Sequence, residues 1–167
     1  MRKGTIRFKV FCVLLLIPGF VINAHSQRTV YNFNYGWKLH VGEAGSAASN
    51  SFSDAGWQGV SLPFAWNQQE AFRKDIRDLP TGIAWYRKTF QLPENSSVEK
   101  VFIEFEGVRQ MAEVFINGVF IGRHENGVMA FGFDLTHFVK PWPEENVIAV
   151  RTCLLYTSDA ADEEDSV

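Results

Sequence analysis

The sequence predicts an all-β domain, a sandwich or barrel of short strands, and three observations carry the prediction. Run after run alternates apolar and polar residues with the two-residue period of a pleated strand. Turn formers separate these runs at short intervals, among them Pro63, Pro80, Pro93, Gly107, Asn117-Gly118 and the Pro141-Trp142-Pro143 corner. No segment carries an apolar stripe of helical period long enough for more than one short helical turn, which residues 68–73 could form.

Residues 101–127 (VFIEFEGVRQMAEVFINGVFIGRHENG) hold three of the strand patterns, and the rest of the chain is expected to organise around them. Val101, Ile103 and Phe105 alternate with Phe102, Glu104 and Glu106, giving one buried and one wetter face until Gly107 ends the run. The next two runs meet across Asn117-Gly118, a dipeptide that accepts the two positive φ angles of a type I′ turn. A two-residue loop sets Ile116 opposite Val119, Phe115 opposite Phe120 and Val114 opposite Ile121, with aliphatic pairs on one face and the aromatic pair on the other.

In chain order, residues 31–40 read as a first strand, and residues 41–54, small and polar without periodicity, as a surface loop of a length that is often functional or mobile. Residues 57–63 return to alternation, with Trp57, Val60 and Leu62 inward after a slip at Gly59 and Pro63 closing the strand. Residues 65–80 are a polar connection. The longest strand, residues 83–92, sets Ala84, Tyr86, Phe90 and Leu92 on one face and Trp85, Arg87, Thr89 and Gln91 on the other. Lys88 interrupts the apolar face, which places it near a sheet edge with its ammonium in water. Residues 130–136 and 146–152 supply the last two strands.

With 167 residues, 46% hydrophobic and 14% aromatic, the chain makes about one domain with a sizeable core. Its ends read differently. Residues 1–26 carry Arg2, Lys3, Arg7 and Lys9, then an apolar run, then Ala24-His25-Ser26, the layout of a secretory signal peptide, so export is expected, with cleavage before Gln27. The apolar run is too short to span a bilayer. At the other end, residues 153–163 (CLLYTSDAADE) resemble a translated sequencing adapter, which predicts a gene cut near Thr152 and an artefactual or disordered tail over residues 153–167. Such a cut is expected to leave the 146–152 strand as an open edge. Both cysteines, Cys12 and Cys153, fall in these ends, so residues 27–152 are read as thiol-free. The formal net charge of −3, with no basic cluster, offers nothing to nucleic acid.

Little in the chain announces chemistry. Glu104 and Glu106 share a strand face about 6.6 Å apart along the backbone, a separation within reach of inverting glycosidases, but a solvated strand face explains the pair better. His40, His124 and His137 are scattered and predict surface positions rather than a metal site, and no nucleophile, metal or cofactor motif is present. No catalytic residue, metal or cofactor is therefore assigned.

Residues 81–90 (TGIAWYRKTF), 105–108 (FEGV), 112–118 (AEVFING), 131–136 (FGFDLT) and 146–151 (NVIAVR), in this order and spacing, together resemble the N-terminal sugar-binding domain of glycoside hydrolase family 2, of the β-galactosidase-like group. Trp57 and residues 61–67 (SLPFAWN) fit its early segment, with Phe64 where a His is usual. The resemblance implies a jelly-roll β-sandwich, galactose-binding-domain-like, over residues 27–152. It also implies that an immunoglobulin-like domain and a (β/α)₈ barrel follow, the barrel holding both catalytic glutamates of a retaining mechanism. The chain is then a non-catalytic part of an exported β-glycoside hydrolase, with a carbohydrate and the remaining domains as its partners. In that family a loop before Pro-Thr-Gly reaches the substrate rim, often through an Asn. Leu79 stands there, which makes Arg77, Asp78 and Leu79 the rim candidates, although a turn aspartate beside a proline is the blander account of Asp78. A free-standing carbohydrate-binding module, with solvent-facing Trp66 or Trp85 stacking on sugar, is the alternative, and an interaction domain without sugar affinity a third.

Overall fold

The computed structural model describes residues 28–67, 73–74, 81–94 and 100–154. The chain forms two compact units, Met1–Tyr31 and Asn32–Val167, and every described strand lies in the second. There are eight: β1 (Trp37–Val41), β2 (Gln58–Val60), β3 (Gly82–Phe90), β4 (Phe102–Phe105), β5 (Met111–Ile116), β6 (Val119–Glu125), β7 (Phe131–Asp134) and β8 (Asn146–Leu154). They pair antiparallel into a six-stranded sheet, β2-β1-β3-β8-β5-β6, and a two-stranded sheet, β4-β7.

The longest strands lie at the centre. β3 and β8 pair along their full length, from Gly82 opposite Leu154 to Phe90 opposite Asn146, and β8 pairs with β5 on its other side. One face of the large sheet contributes Leu39, Ala84, Tyr86, Val114, Ile116, Ile148 and Val150 to the main core, and Ile103, Phe105, Phe131 and Phe133 of the small sheet pack against it. Val114, Ile116 and Ile148 are fully buried, each contributing about 1.5–3 kcal/mol of apolar transfer. This two-layer packing is the expected all-β sandwich.

Asn117 (φ 51°) and Gly118 (φ 86°) adopt the two positive φ angles that the hairpin turn needs. Ile116 faces Val119 and Phe115 faces Phe120 as the loop length dictates, but Val114 then pairs with Gly122. Ile121 is therefore the extra residue of a bulge rather than the partner of Val114. The physical reason is at Gly122: a Cβ there would collide with the ring of Phe133, so the bulge brings a glycine to the place where the second sheet packs closest.

Several expectations give way to the topology. β3 is an interior strand, not an edge, and Lys88 keeps its charge near the strand's end by other means. Its Nζ donates to the carbonyls of Phe33 (3.0 Å) and Tyr35 (2.7 Å) and sits 3.7 Å from the centre of the Phe33 ring. Burial holds its pKa below the usual lysine range. Trp57 packs on the opposite face of the sheet from Val60 and Leu62, stacked on His40 at 5.2 Å. The last strand is no open edge, because β8 is flanked on both sides; the edges of the large sheet are β2 and β6. β8 also runs past Thr152 to take in Cys153 and Leu154, so the Cys153 thiol, 7% exposed, belongs to the folded domain. Residues 155–167 and the signal-like residues 1–26 lie outside the described residues.

Candidate functional site

The second face of the large sheet is where polar groups gather. Trp85, Arg87, Phe115, Ala149 and Arg151 point to it from β3, β5 and β8, and the loop from Gly42 to Trp57 folds over it instead of standing in solvent. Ala47 is fully buried beneath this loop, and Ala44, Ala48 and Phe52 pack beside it.

Arg87 holds the loop down. Only 2% exposed, it donates from Nε to the carbonyl of Ala47 (3.2 Å), from Nη2 to that of Ser49 (2.9 Å), and from Nη1 to the carbonyl of Phe52 (3.4 Å) and Oδ2 of Asp54 (3.3 Å). Asp54 also accepts from Lys38 Nζ, so the carboxylate bridges two cations. Burial pulls the Arg87 pKa down while Asp54 pulls it up, and the carbonyls absorb the remaining donors. A loop that lacks periodicity is thus fixed by one side chain from the sheet below. At the neighbouring position Arg151 donates to Glu113 (3.0 Å) and to both oxygens of Glu43; its hydrogen bonds hold the Glu43 pKa below the usual carboxylate range.

Between this loop and the tip of the β5–β6 hairpin lies a shallow depression of about 500 Å³, whose floor and walls include Ser46, Ser49, Asn50, Ser51 and Gly118. Ser49 and Ser51 share a hydroxyl–hydroxyl hydrogen bond of 3.0 Å, and the Asn117 side chain turns away into the fold. Its Nδ2 donates to the carbonyl of Phe138 (2.8 Å) and to Oδ1 of Asn146 (2.8 Å), and its Oδ1 accepts from the Val147 amide (3.0 Å). Asn146, fully buried, completes its set through the amide and carbonyl of Lys140.

The residues singled out from sequence do not converge on a common site. Trp85 is 4% exposed, its ring stacked on Phe115 at 5.8 Å, so it is not solvent-facing and offers sugar no free ring face. Trp66 is half-buried against the main core. Glu104 and Glu106 are both exposed, Glu104 opposite Gly132 on the outer side of the small sheet. His40 stacks on Trp57, His124 on Phe131 at 4.1 Å, and His137 is exposed. Among the described residues no group of three His, Cys, Asp or Glu could hold a metal ion. Arg77, Asp78 and Leu79 lie outside the described residues. Sequence reasoning missed Arg87 as an anchor, though an arginine in mid-strand between Trp85 and Thr89 was its signal.

A family model described as the glycosyl hydrolase 2 galactose-binding domain-like matches residues 66–166, from Trp66 through β8. The chain belongs to glycoside hydrolase family 2. Within this family, a β-glucuronidase of Formosa agariphila is 44% identical over 133 residues, which is 75% of this chain and 14% of that protein. The β-galactosidase BoGH2A of Bacteroides ovatus is 40% identical over 133 residues, 75% of this chain and 15% of the relative. Among solved structures, a family 2 β-glucuronidase superposes with a TM-score of 0.71 at 39% identity, over 77% of this chain and 14% of that one. The galactose-binding-like β-sandwich is thus the part of the family that this chain represents, and it spans only 14–15% of the length of these curated relatives.

Proposed function

We propose that the chain is the non-catalytic sandwich domain of an exported family 2 glycoside hydrolase, and that the whole protein hydrolyses a β-glycoside of galactose or glucuronic acid. The observation that carries the reading is the family match together with the names of the relatives, which include both β-glucuronidases and β-galactosidases. The geometry agrees with a supporting role: the glutamate pair of β4 faces solvent from the outer side of a small sheet, and the best-ordered polar side chains are spent holding a loop. A rim contribution from Arg77, Asp78 or Leu79 belongs to the same proposal, as does export through residues 1–26, supported by their basic, apolar and small-residue segments.

The test is to assay the intact gene product and the 167-residue chain side by side on chromogenic β-galactoside, β-glucuronide and β-mannoside. Turnover of the first or second substrate by the intact protein, and none by the chain, is expected. An intact protein inert on all β-glycosides would overturn the reading.

A further inference from the structure

Resting on that carbohydrate-active reading, we infer that the depression between residues 45–51 and the Asn117-Gly118 tip is a binding subsite for a neutral saccharide, with Phe120 as its stacking platform. Its lining is the first argument. Ser46, Ser49, Asn50 and Ser51 bring three hydroxyls and an amide, and no lining residue is ionisable. An anionic ligand would find no cation there, a cation no carboxylate, and an apolar ligand no apolar wall. A polyhydroxylated neutral molecule finds donors and acceptors in matching density.

The second argument is rigidity. Short polar loops bind sugars poorly when ordering them costs more than the contacts return. Here Arg87 fixes the loop backbone at Ala47, Ser49 and Phe52 from beneath, and Arg87 is itself buried, so the loop is ordered before any ligand arrives. The hairpin tip is held equally by the three hydrogen bonds of the Asn117 side chain.

The third is an aromatic ring in the right place. Phe120 lies two residues beyond Gly118, cross-strand from Phe115 and 5.4 Å from its ring centre. Phe115 packs with Ala47 and Ala48 under the loop, so Phe120 shares the sheet face on which the depression opens, and it is 53% exposed. An aromatic face beside hydroxyl-bearing side chains suits a sugar ring, which has an apolar C–H face and a polar rim. The volume of about 500 Å³ holds a ligand of mono- or disaccharide size.

Titrating the ¹⁵N-labelled 167-residue chain with lactose, with glucuronate as the anionic comparison, tests the inference by amide shifts. Saturable shifts at Ser46, Ser49, Asn50, Ser51 and Gly118 are expected with lactose, with a Kd on the order of millimolar, and weaker ones with glucuronate. Two surface variants, Phe120→Ser and Asn50→Leu, should each weaken lactose binding about tenfold while leaving the thermal midpoint nearly unchanged. Absence of saturable shifts in residues 45–51 at about 50 mM lactose overturns the subsite, as does undiminished binding by both variants. Loss of the subsite with hydrolysis by the intact protein preserved leaves the enzyme reading standing; lactose binding with an inert intact protein would sink that reading instead.

Discussion

Single side chains carry much of the order in this sandwich, and Asn117 shows how. The turn itself asks only for positive φ, which glycine meets at least as well as asparagine. Yet the Asn117 amide also joins the hairpin tip to Phe138, Asn146 and Val147. Asn117→Gly should therefore keep the turn and still lower stability by about 2–3 kcal/mol, since it strips partners from a buried asparagine. Urea denaturation measures this, and a change below about 0.5 kcal/mol would mean that solvent replaces the lost bonds. Sequence reasoning alone makes the same substitution nearly silent, because a turn dipeptide reveals backbone need and not long-range bonding. At the adjacent Gly118, Val should cost about 1–3 kcal/mol through φ strain. Gly122→Ala should cost a similar amount, about 1–3 kcal/mol, by driving a methyl into the Phe133 ring.

At the scale of elements, the small sheet is closed by a polar clasp where β7 ends and β4 begins. Asp134 accepts from the Thr136 amide (2.9 Å), the Thr136 hydroxyl and Lys100 (3.1 Å), while the Val101 amide donates to the Thr136 hydroxyl oxygen (3.0 Å). These bonds, the Thr136 hydroxyl first, lower the Asp134 pKa from 3.8 to about 2. A carboxyl depressed in the folded state contributes stability above its unfolded pKa and loses it as pH falls through the folded one. The clasp should accordingly weaken between about pH 4 and pH 2, and Asp134→Asn should flatten the acid limb of the stability curve in that window. Tyr86 gives the alkaline counterpart: burial raises its phenol from 10.0 to about 12 while the hydroxyl donates to the Phe64 carbonyl (2.9 Å). An acid whose folded pKa is raised stabilises below the unfolded value, so stability should fall as pH rises from about 10 to 12, and Tyr86→Phe should remove that fall. Thermal midpoints across both limbs check the signs.

Strand existence was legible because period-two alternation and turn residues are local. What escaped was set by neighbours in space. The loop over the second face looks featureless until Arg87 is seen to hold three of its carbonyls, and the bulge at Ile121 follows from a ring in a different sheet. Gly122 inside an otherwise regular strand was the available cue.

For the molecule as a whole, the topology places the last strand in the middle of the large sheet. β8 joins β3 to β5, so the β1–β3 and β5–β6 portions cannot separate without breaking it. A single steep urea transition is expected, the same by tryptophan fluorescence and far-UV circular dichroism; two separated transitions would contradict that coupling. The family assignment gives the molecule its role, and the position of the glutamates gives the sharpest check on it. Glu104 and Glu106 lie exposed where β4 meets solvent, not in a cleft that could set one apart from the other as acid and base. The most direct measurement is the rate of chromogenic β-glycoside hydrolysis by the purified 167-residue chain. A rate indistinguishable from buffer is predicted, and reproducible turnover abolished by Glu104→Gln or Glu106→Gln would contradict the account.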